Sequence, residues 1–551
     1  MRRISPLGRI KHQVFQKASF PNLAQRAGLL AAGFNRSTTN TQLTSLSVVV
    51  PFSSGHQKAF QETILSLLQE DFSNLELVIA ALDKGHTEMT ALLDRIGCMK
   101  PFRVVLDEDI ACPVRAFLAA SHDVVTMLPA GDRFTTNALG SIRRVFSENG
   151  DMSLLYTDTM PTEKGTATGA GWHLKPAYDP VLLREVDYIS GAAFFRRNRM
   201  SQILSVSRQG RKLTSMTELL RDYVNGLPDE AIAHLPFPAL QTQTLPPMTP
   251  DAGAEIMSSR TSWPLISIVI PTRNGFELIL QTLQGIYNGT DYPDFEVILI
   301  DNGSEDPRVL ELYESYRSTH ANFSAYVKTE PFNFSRAVNK GMSLAKGENI
   351  LLLNNDIEVI EDGWLKEMVS CLELEKSGIV GARLLYPNDT IQHAGVIIGL
   401  NGMASHWFYK ENKEISGPLG RLRVRNSMTC VTGAVMLISG DCRQALGDWD
   451  EKNFAIAYND VDYCLRAHKI GFRVIWTPHA TLYHHESVTR GKDRSRSRKE
   501  QFKREKAALK RIHKTDRFED PAFSPWYARR PGKLKIRCPK KMPKVRTWWS
   551  S

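Results

Sequence analysis

A carboxylate can act on a substrate only where it meets the solvent, and the sequence places Asp356 at such a point. It lies in the segment ENILLLNNDIEV (348–359), where four apolar residues at 350–353 follow a Lys346-Gly347 break. Four are too few for a helix, so they read as a strand buried on both faces. The run stops at Asn354-Asn355-Asp356. In an open α/β sheet ligands sit beyond the carboxyl ends of the strands, so a carboxylate there faces the crevice and not the core. Taken alone, Asn-Asn-Asp is better explained as a turn, and its neighbours decide. Two further apolar runs end in the same way, at Pro271-Thr272-Arg273-Asn274 and at Asp301-Asn302-Gly303-Ser304. Three polar strand ends on one edge make one site. No GxGxxG follows the first of these strands and no GxxxxGK[ST] is present, which argues against a dinucleotide fold and a P-loop nucleotidase and leaves a mononucleotide pocket.

The elements that must hold these ends alternate. Strands at 266–270, 295–300, 323–328 and 350–353 are separated by helical stretches, the last of them at 335–345. An apolar run at 431–439 follows, then a helix from Asn459 (NDVDYCLRAHKIG) with acids in its first turn and Gly471 as terminator, then a strand, FRVIWTP, before HATLYHHES. Such alternation predicts an α/β fold with a mostly parallel sheet. The opening phrase occurs twice. Ser47-Val48-Val49-Val50-Pro51 matches Ser267-Ile268-Val269-Ile270-Pro271, and 75–80 matches 295–300, a spacing far too long for a solenoid repeat. Two tandem α/β domains are expected, at 45–235 and 264–491. Pro236, Pro238, Pro246, Pro247 and Pro250 mark a linker at 236–263, and basic segments at 1–44 and 492–551 flank the whole.

The 551 residues suffice for two or three domains, and 42% hydrophobic with 23% charged residues is ordinary for a soluble globular protein. Seven cysteines (98, 112, 371, 430, 442, 464, 538) contain no CxxC pair, which argues against a zinc ribbon or a disulfide framework and fits a reducing compartment. No apolar run reaches the length of a membrane-spanning helix. The net charge of +10 divides unevenly: +7 on residues 1–36, +16 on 490–551 and −13 on the body between them. Basic ends of this kind suit an anionic membrane surface or nucleic acid. Residues 1–35 allow short amphipathic helices, and Trp548 and Trp549 beside lysines suit a membrane interface. No nucleic-acid motif supports the other partner.

From Ile266 to Gly491 the chain resembles glycosyltransferase family 2. The likeness lies in the strand into PTRNG, the IDNGS turn, FNFSRAVNKG before LLLNND, VTGAVML, and YNDVDYCLR followed by YHHESVTRG. The resemblance implies two tandem GT-A-like (Rossmann-like) domains and inverting transfer of a sugar from a nucleotide diphosphate donor, UDP- or dTDP-linked, to a glycan or lipid-linked acceptor. It implies Asp460 as the general base, the second residue of an acidic pair whose first position is Asn459 here. Mg²⁺ or Mn²⁺ would sit at Asp356 with His484 or His485, of which His484 is chosen. Pro271, Thr272, Arg273, Asp301, Asn355, Asp356 and Gly433 would hold the donor, and Trp449 and Asp450 would form an acceptor wall. The alternative to Asp460 as base is an acid that merely charges a helix N-terminus.

In the first domain the metal turn reads Pro129-Ala130-Gly131-Asp132, and the acidic pair is replaced by Ser215-Met216-Thr217-Glu218. That domain resembles the degenerate N-terminal module of two-module members. The expected protein is a cytoplasmic enzyme, peripheral on the inner face of the membrane. A non-catalytic carbohydrate or nucleotide-sugar binding protein is the alternative, because Asn354 and Asn459 stand where acids are usual.

Overall fold

The computed structural model describes residues 20–36, 42–70, 74–81, 86–97, 102–106, 114–162, 171–200, 215–243, 262–485, 496–530 and 534–548. The first sheet comprises β1 (Leu46–Phe52), β2 (Leu75–Ala81), β3 (Phe102–Leu106), β4 (Val124–Met127), β5 (Arg133–Phe134), β6 (Leu154–Pro161), β7 (Ala193–Arg196) and β8 (Ile232–Thr242), in the order β3-β2-β1-β4-β7-β6-β8-β5. The second comprises β9 (Ile266–Thr272), β10 (Phe295–Asp301), β11 (Phe323–Val327), β12 (Asn349–Leu353), β13 (Ile357–Val359), β14 (Ser377–Leu385), β19 (Val435–Ile438) and β20 (Arg473–His484). Its order is β11-β10-β9-β12-β19-β14-β20-β13. Position by position the two orders are the same. The short strands β15 (Ile391–His393), β16 (Val396–Ile398), β17 (Ala404–His406) and β18 (Asn426–Ser427) are additions to the second domain.

The protein is thus α/β with two tandem domains of equivalent strand order. The sheets are mixed: β11, β10, β9 and β12 are mutually parallel, whereas β19 runs antiparallel to both β12 and β14, and β13 antiparallel to β20. Parallel pairing returns between β14 and β20 and between β6 and β8, and the half joined by helical crossovers is parallel throughout, as crossover connections require. Its central strands β1 and β9 are β-branched and buried along nearly their whole length, so their polar ends lie at one rim.

Three expectations are corrected. The linker does not begin at residue 236, because Pro236 and Pro238 lie within β8. The pairing of β8 with β6 shifts register between Leu235 and Pro238, and a bulge accommodates a residue without an N–H. The C-terminal segment is not a free basic tail. Trp526 is fully buried and its indole N–H donates to the Pro236 carbonyl at 2.9 Å, while Arg546 and His234 exchange backbone hydrogen bonds at 2.9 Å. Trp548 is 4% exposed and so does not face a membrane interface; Trp549 lies outside the described residues. The amphipathic helix near the N-terminus, Phe20–Arg36, buries Leu23, Ala27 and Ala31 and packs on the helix Ala138–Glu148, so that face meets protein and not lipid. Residues 1–19 lie outside the described residues. Among the described residues no helix is long and apolar enough to cross a membrane.

The two domains share buried polar contacts. Asp179 accepts hydrogen bonds from the backbone and the hydroxyl of Ser427, both at 2.7 Å. Arg425 holds Glu367 in its own domain and Glu185 in the other. Leu419 and Val424 enter the apolar core of the first domain.

Candidate active site

At the carboxyl ends of β9, β10 and β12 a cleft of about 820 Å³ is lined by Pro271, Thr272, Arg273, Asn274, Gly275, Asn302, Asn355 and Asp356. Beside it a cavity of about 520 Å³ is lined by Asp460, Gly433, His484, His406, Tyr409 and Tyr458. Phe334, Asn354, Asp356 and Phe502 line both. The structure therefore gathers Pro271, Thr272, Arg273, Asn355, Asp356, Gly433, Asp460 and His484 around one continuous space.

The strand-to-helix turn after β9 owes its shape to two consecutive left-handed residues, Asn274 (φ 51°) and Gly275 (φ 72°). Asn274 is tied down by its own side chain, which accepts the Glu305 N–H at 2.9 Å. Thr272 Oγ1 accepts from the Asn355 amide at 2.9 Å, joining the ends of β9 and β12. Arg273 is half-exposed at the cleft, 3.9 Å from Glu305. Asp301 does not reach it. It is 1% exposed, and its carboxylate accepts from Ser304 N–H at 2.6 Å and from the Tyr313 hydroxyl at 2.7 Å. A strand-end acid that finds three local donors turns inward, and its neighbour Asn302 lines the cleft instead.

Asp356 is 6% exposed. The antiparallel register of β13 on β20 pairs Ile357 with His484, which brings His484 Nε2 to 3.1 Å from Asp356 Oδ1. His485 turns instead to Glu358, at 2.7 Å. Asp356 Oδ1 is buried and accepts no hydrogen bond. An orphaned carboxylate oxygen beside an imidazole nitrogen is a donor pair suited to a divalent cation, so these residues fit the metal that the resemblance implies. Among the described residues no group of three or more His, Cys, Asp or Glu gathers, and the remaining ligands would come from phosphate and water.

Asp460 is the second residue of the helix Asn459–Lys469. Its Oδ2 accepts the Gly433 N–H at 3.1 Å and its Oδ1 the Val461 N–H at 2.8 Å, so it both caps the helix and faces the cavity. The Asn459 side chain accepts the Asp460 N–H and donates to the Ile456 carbonyl, closing the turn. Asp462 is 3% exposed and bound to Arg466 and His513. Gly433 has its N–H committed to Asp460, and a Cβ there would lie 3.5 Å from Asp460 Cβ, an ordinary contact.

The expected acceptor wall is not where the sequence reading put it. Trp449 is 2% exposed, stacked on Tyr463 at 4.8 Å and edge-on to Phe334. Asp450 bonds the Lys452 and Asn453 N–H groups and the Asn453 amide, as a turn residue does. The wall of the cavity comes instead from β17 and the residues after it, with His406 and Tyr409. Behind His406 stands fully buried His393, their Nδ1 atoms 2.9 Å apart. Burial, together with His406 and His484, holds the His393 ring well below the usual histidine range and hence neutral.

The segment FKREKAALKRIH reads from its sequence as a basic helix, and the structure forms it at Arg496–His513; what the sequence reading missed is that it brings Arg498, Gln501, Phe502 and Glu505 to the cleft. Glu505 accepts the Ala457 N–H at 2.6 Å, and His513 meets Asp462 at 2.7 Å. Leu509 and Ala508 of the same helix enter the apolar core, and the partners of its polar contacts lie far off in sequence, so local sequence carries no signal for them beyond an amphipathic pattern.

Among its described residues the first domain lacks this equipment. Asp132 occupies the place of Asp356, yet Arg133 pairs with Gln241 where Ile357 pairs with His484, so a glutamine replaces the imidazole. Burial raises the Asp132 carboxyl to about 6 against hydrogen bonds from Thr242 and Gln243 that lower it. The helix Met216–Val224 opens on a Ser215 hydroxyl that accepts the Glu218 N–H, and Glu218 is the acid of its first turn.

Residues 267–436 match the family model described as Glycosyl transferase family 2. The chain is 30% identical over 521 residues to the uncharacterized protein y4gI of Sinorhizobium fredii, covering 87% of this chain and 57% of that one. It is 29% identical over 485 residues to the O-antigen biosynthesis protein RfbC of Myxococcus xanthus, covering 81% and 38%. The chain thus spans about half or less of the length of these relatives. The mannosyltransferase PcManGT of Pyrobaculum calidifontis, solved with GDP-Man and Mn²⁺, aligns at 18% identity and a TM-score of 0.32 over 42% of this chain and 59% of its own.

Proposed function

From the premise that residues 267–436 form a glycosyl transferase family 2 domain, we propose that the chain transfers a sugar, with inversion, from a UDP- or dTDP-linked donor to a glycan or lipid-linked acceptor in polysaccharide biosynthesis. The observation that carries this reading is the meeting of two spaces at Asp356. One is a cleft of nucleotide size at the strand ends, the other a cavity holding Asp460.

The nucleotide would lie along Pro271, Thr272 and Arg273, with the guanidinium as a hydrogen-bond donor to base or phosphate. The donor sugar would reach the Gly433 wall. Asp460, held by the Gly433 and Val461 N–H groups, keeps lone pairs to take the proton of an acceptor hydroxyl as the glycosidic bond forms. Asp356 and His484 would hold Mg²⁺ or Mn²⁺, which when bound supplies charge neutralisation for the departing diphosphate. Phe502, on the helix Arg496–His513, lines both spaces and would narrow the entry of water at their junction. The first domain, without an imidazole beside Asp132, would bind acceptor or support its partner and not catalyse. The exposed Lys499, Lys503, Arg504, Lys510 and Arg511 of the C-terminal helix would face an anionic membrane carrying the acceptor.

A thermal-shift screen of UDP-, dTDP- and GDP-sugars with Mg²⁺ or Mn²⁺ tests the donor. A ligand held by the native state alone raises the melting point. A rise with one nucleotide sugar that needs the metal supports the reading, and its absence across the panel rejects it.

A further inference from the structure

Gln392 lies on β15, a strand the transfer reaction does not otherwise use, and is 4% exposed. Both ends of its amide engage His484. Its Nε2 lies 3.3 Å from the His484 carbonyl, to which it donates, and its Oε1 lies 2.6 Å from His484 Nδ1. The first contact orients the amide, since an NH₂ group donates and does not accept. The second then fixes the proton on the ring. A carbonyl oxygen cannot donate, so Nδ1 carries the hydrogen, and in a neutral imidazole Nε2 is left with a bare lone pair.

That lone pair faces Asp356 Oδ1 at 3.1 Å, the oxygen that accepts no hydrogen bond. Two acceptors at this distance repel one another unless a cation lies between them. Asn354 sets an amide nitrogen, itself a donor, 3.2 Å from Nε2, which suits a bare nitrogen and would oppose an imidazolium N–H. We propose that Gln392 is a positioning residue that locks His484 into the metal-binding tautomer through its paired amide contacts with the ring and with the backbone of the same residue. This rests on the reading of Asp356 and His484 as metal ligands. An outer partner that fixes ring orientation and tautomer in this way typically contributes 10- to 100-fold in metal affinity.

The test is a titration of the full chain with Mn²⁺, with and without UDP, read as loss of the free-ion signal in electron paramagnetic resonance. Gln392→Leu removes both contacts at similar volume. It is expected to weaken Mn²⁺ binding by about 10- to 100-fold while metal-free UDP affinity is unchanged. Gln392→Glu keeps an acceptor for the Nδ1 proton but loses the donation to the His484 carbonyl, so it is expected to keep most of the Mn²⁺ affinity, and unchanged metal-free UDP affinity in the leucine variant shows that its loss is not a general folding defect. His484→Ala should abolish the site. Wild-type Mn²⁺ affinity in Gln392→Leu, with loss in His484→Ala, would overturn the role of Gln392 and leave the metal ligands standing. Equal losses in the leucine and glutamate variants would also overturn it. Absence of Mn²⁺ binding by the wild type under both conditions would remove the metal reading itself, and this inference with it.

Discussion

Replacing Arg425 by methionine should separate the two domains energetically, and the structure allows the effect to be sized. The Arg425 guanidinium grips both oxygens of Glu367, at 2.7 and 2.8 Å, and reaches Glu185 of the first domain at 2.9 Å. All three side chains are 6% exposed or less. The two acids fare differently. Burial pushes the Glu185 carboxyl up more than its single contact with Arg425 brings it down. For Glu367 burial also pushes up, but the two-pronged contact with Arg425 and a hydrogen bond from Thr477 outweigh it and the carboxyl is lowered. Methionine fills the space of the arginine stem and leaves two buried carboxylates facing one another. Stranding one buried charge costs about 3–5 kcal/mol, so the upper part of that range is expected for the domain interface. The sign with pH follows. In the variant both carboxyls would titrate above their unfolded value, so the folded protein would bind more protons than the unfolded chain, and stability would fall as pH rises through that window. Urea denaturation at pH 5 and pH 8, followed through the first transition, should therefore show a larger loss at pH 8. Adding Glu185→Gln and Glu367→Gln to Arg425→Met should restore most of it, because neutral groups replace a buried ion cluster at little net cost. A loss below about 1 kcal/mol, or a loss greater at pH 5 than at pH 8, would refute the argument.

The first domain offers a pH-dependent counterpart. Burial raises Asp132 to about 6, so ionisation destabilises the fold progressively as pH rises from the unfolded value towards neutrality. At about 1.4 kcal/mol per unit, Asp132→Asn should stabilise the protein by up to about 3 kcal/mol at pH 7 and by little at pH 4, read as the difference in melting temperature at the two values. The proposed membrane face gives a third expectation. Reversing the charge of Lys499, Lys503 and Arg504 should reduce flotation with phosphatidylglycerol vesicles at low salt, since each cation near such a surface contributes about 1 kcal/mol. Wild-type flotation that persists in molar salt, or that is equal on neutral vesicles, would refute an electrostatic contact.

Local pattern revealed much of the fold and part of the site. The strand ending at Asn354-Asn355-Asp356 and the duplication of the β1 phrase in β9 were legible, because burial on both faces of a central strand leaves an uninterrupted apolar run. Their registers even coincide, with Leu46 on Leu75 and Ile266 on Phe295. What depends on partners distant in sequence was not legible. A strand-end acid looks the same whether it faces the crevice, as Asp356 does, or turns to Ser304 and Tyr313, as Asp301 does. Which of His484 and His485 faces Asp356 follows from the pairing of β13 with β20, on which neither histidine's neighbours bear. Trp449 is expected in an acceptor wall from its aromatic ring and its place just before Asp460, whereas Phe334 and Tyr463 pack against it. The helix in the basic C-terminal segment was legible, but its place beside the cleft was not, since that depends on distant partners such as Ala457 for Glu505 and Asp462 for His513.

The claim on which the account depends is that Asp460 takes a proton from the acceptor, and the most direct measurement compares donor affinity and turnover in Asp460→Asn. Asparagine keeps the shape but has a single oxygen, so one of the Gly433 and Val461 N–H groups loses its acceptor, a cost of about 1 kcal/mol in stability that a melting curve will register separately. With the nucleotide sugar that most stabilises the wild type, the account predicts unchanged donor affinity and turnover lowered by about 10²- to 10⁴-fold, while Glu218→Gln in the first domain leaves turnover near that of the wild type. An active Asp460→Asn protein would leave this aspartate as a helix cap, and equal losses from the two substitutions would place the reaction in the wrong domain.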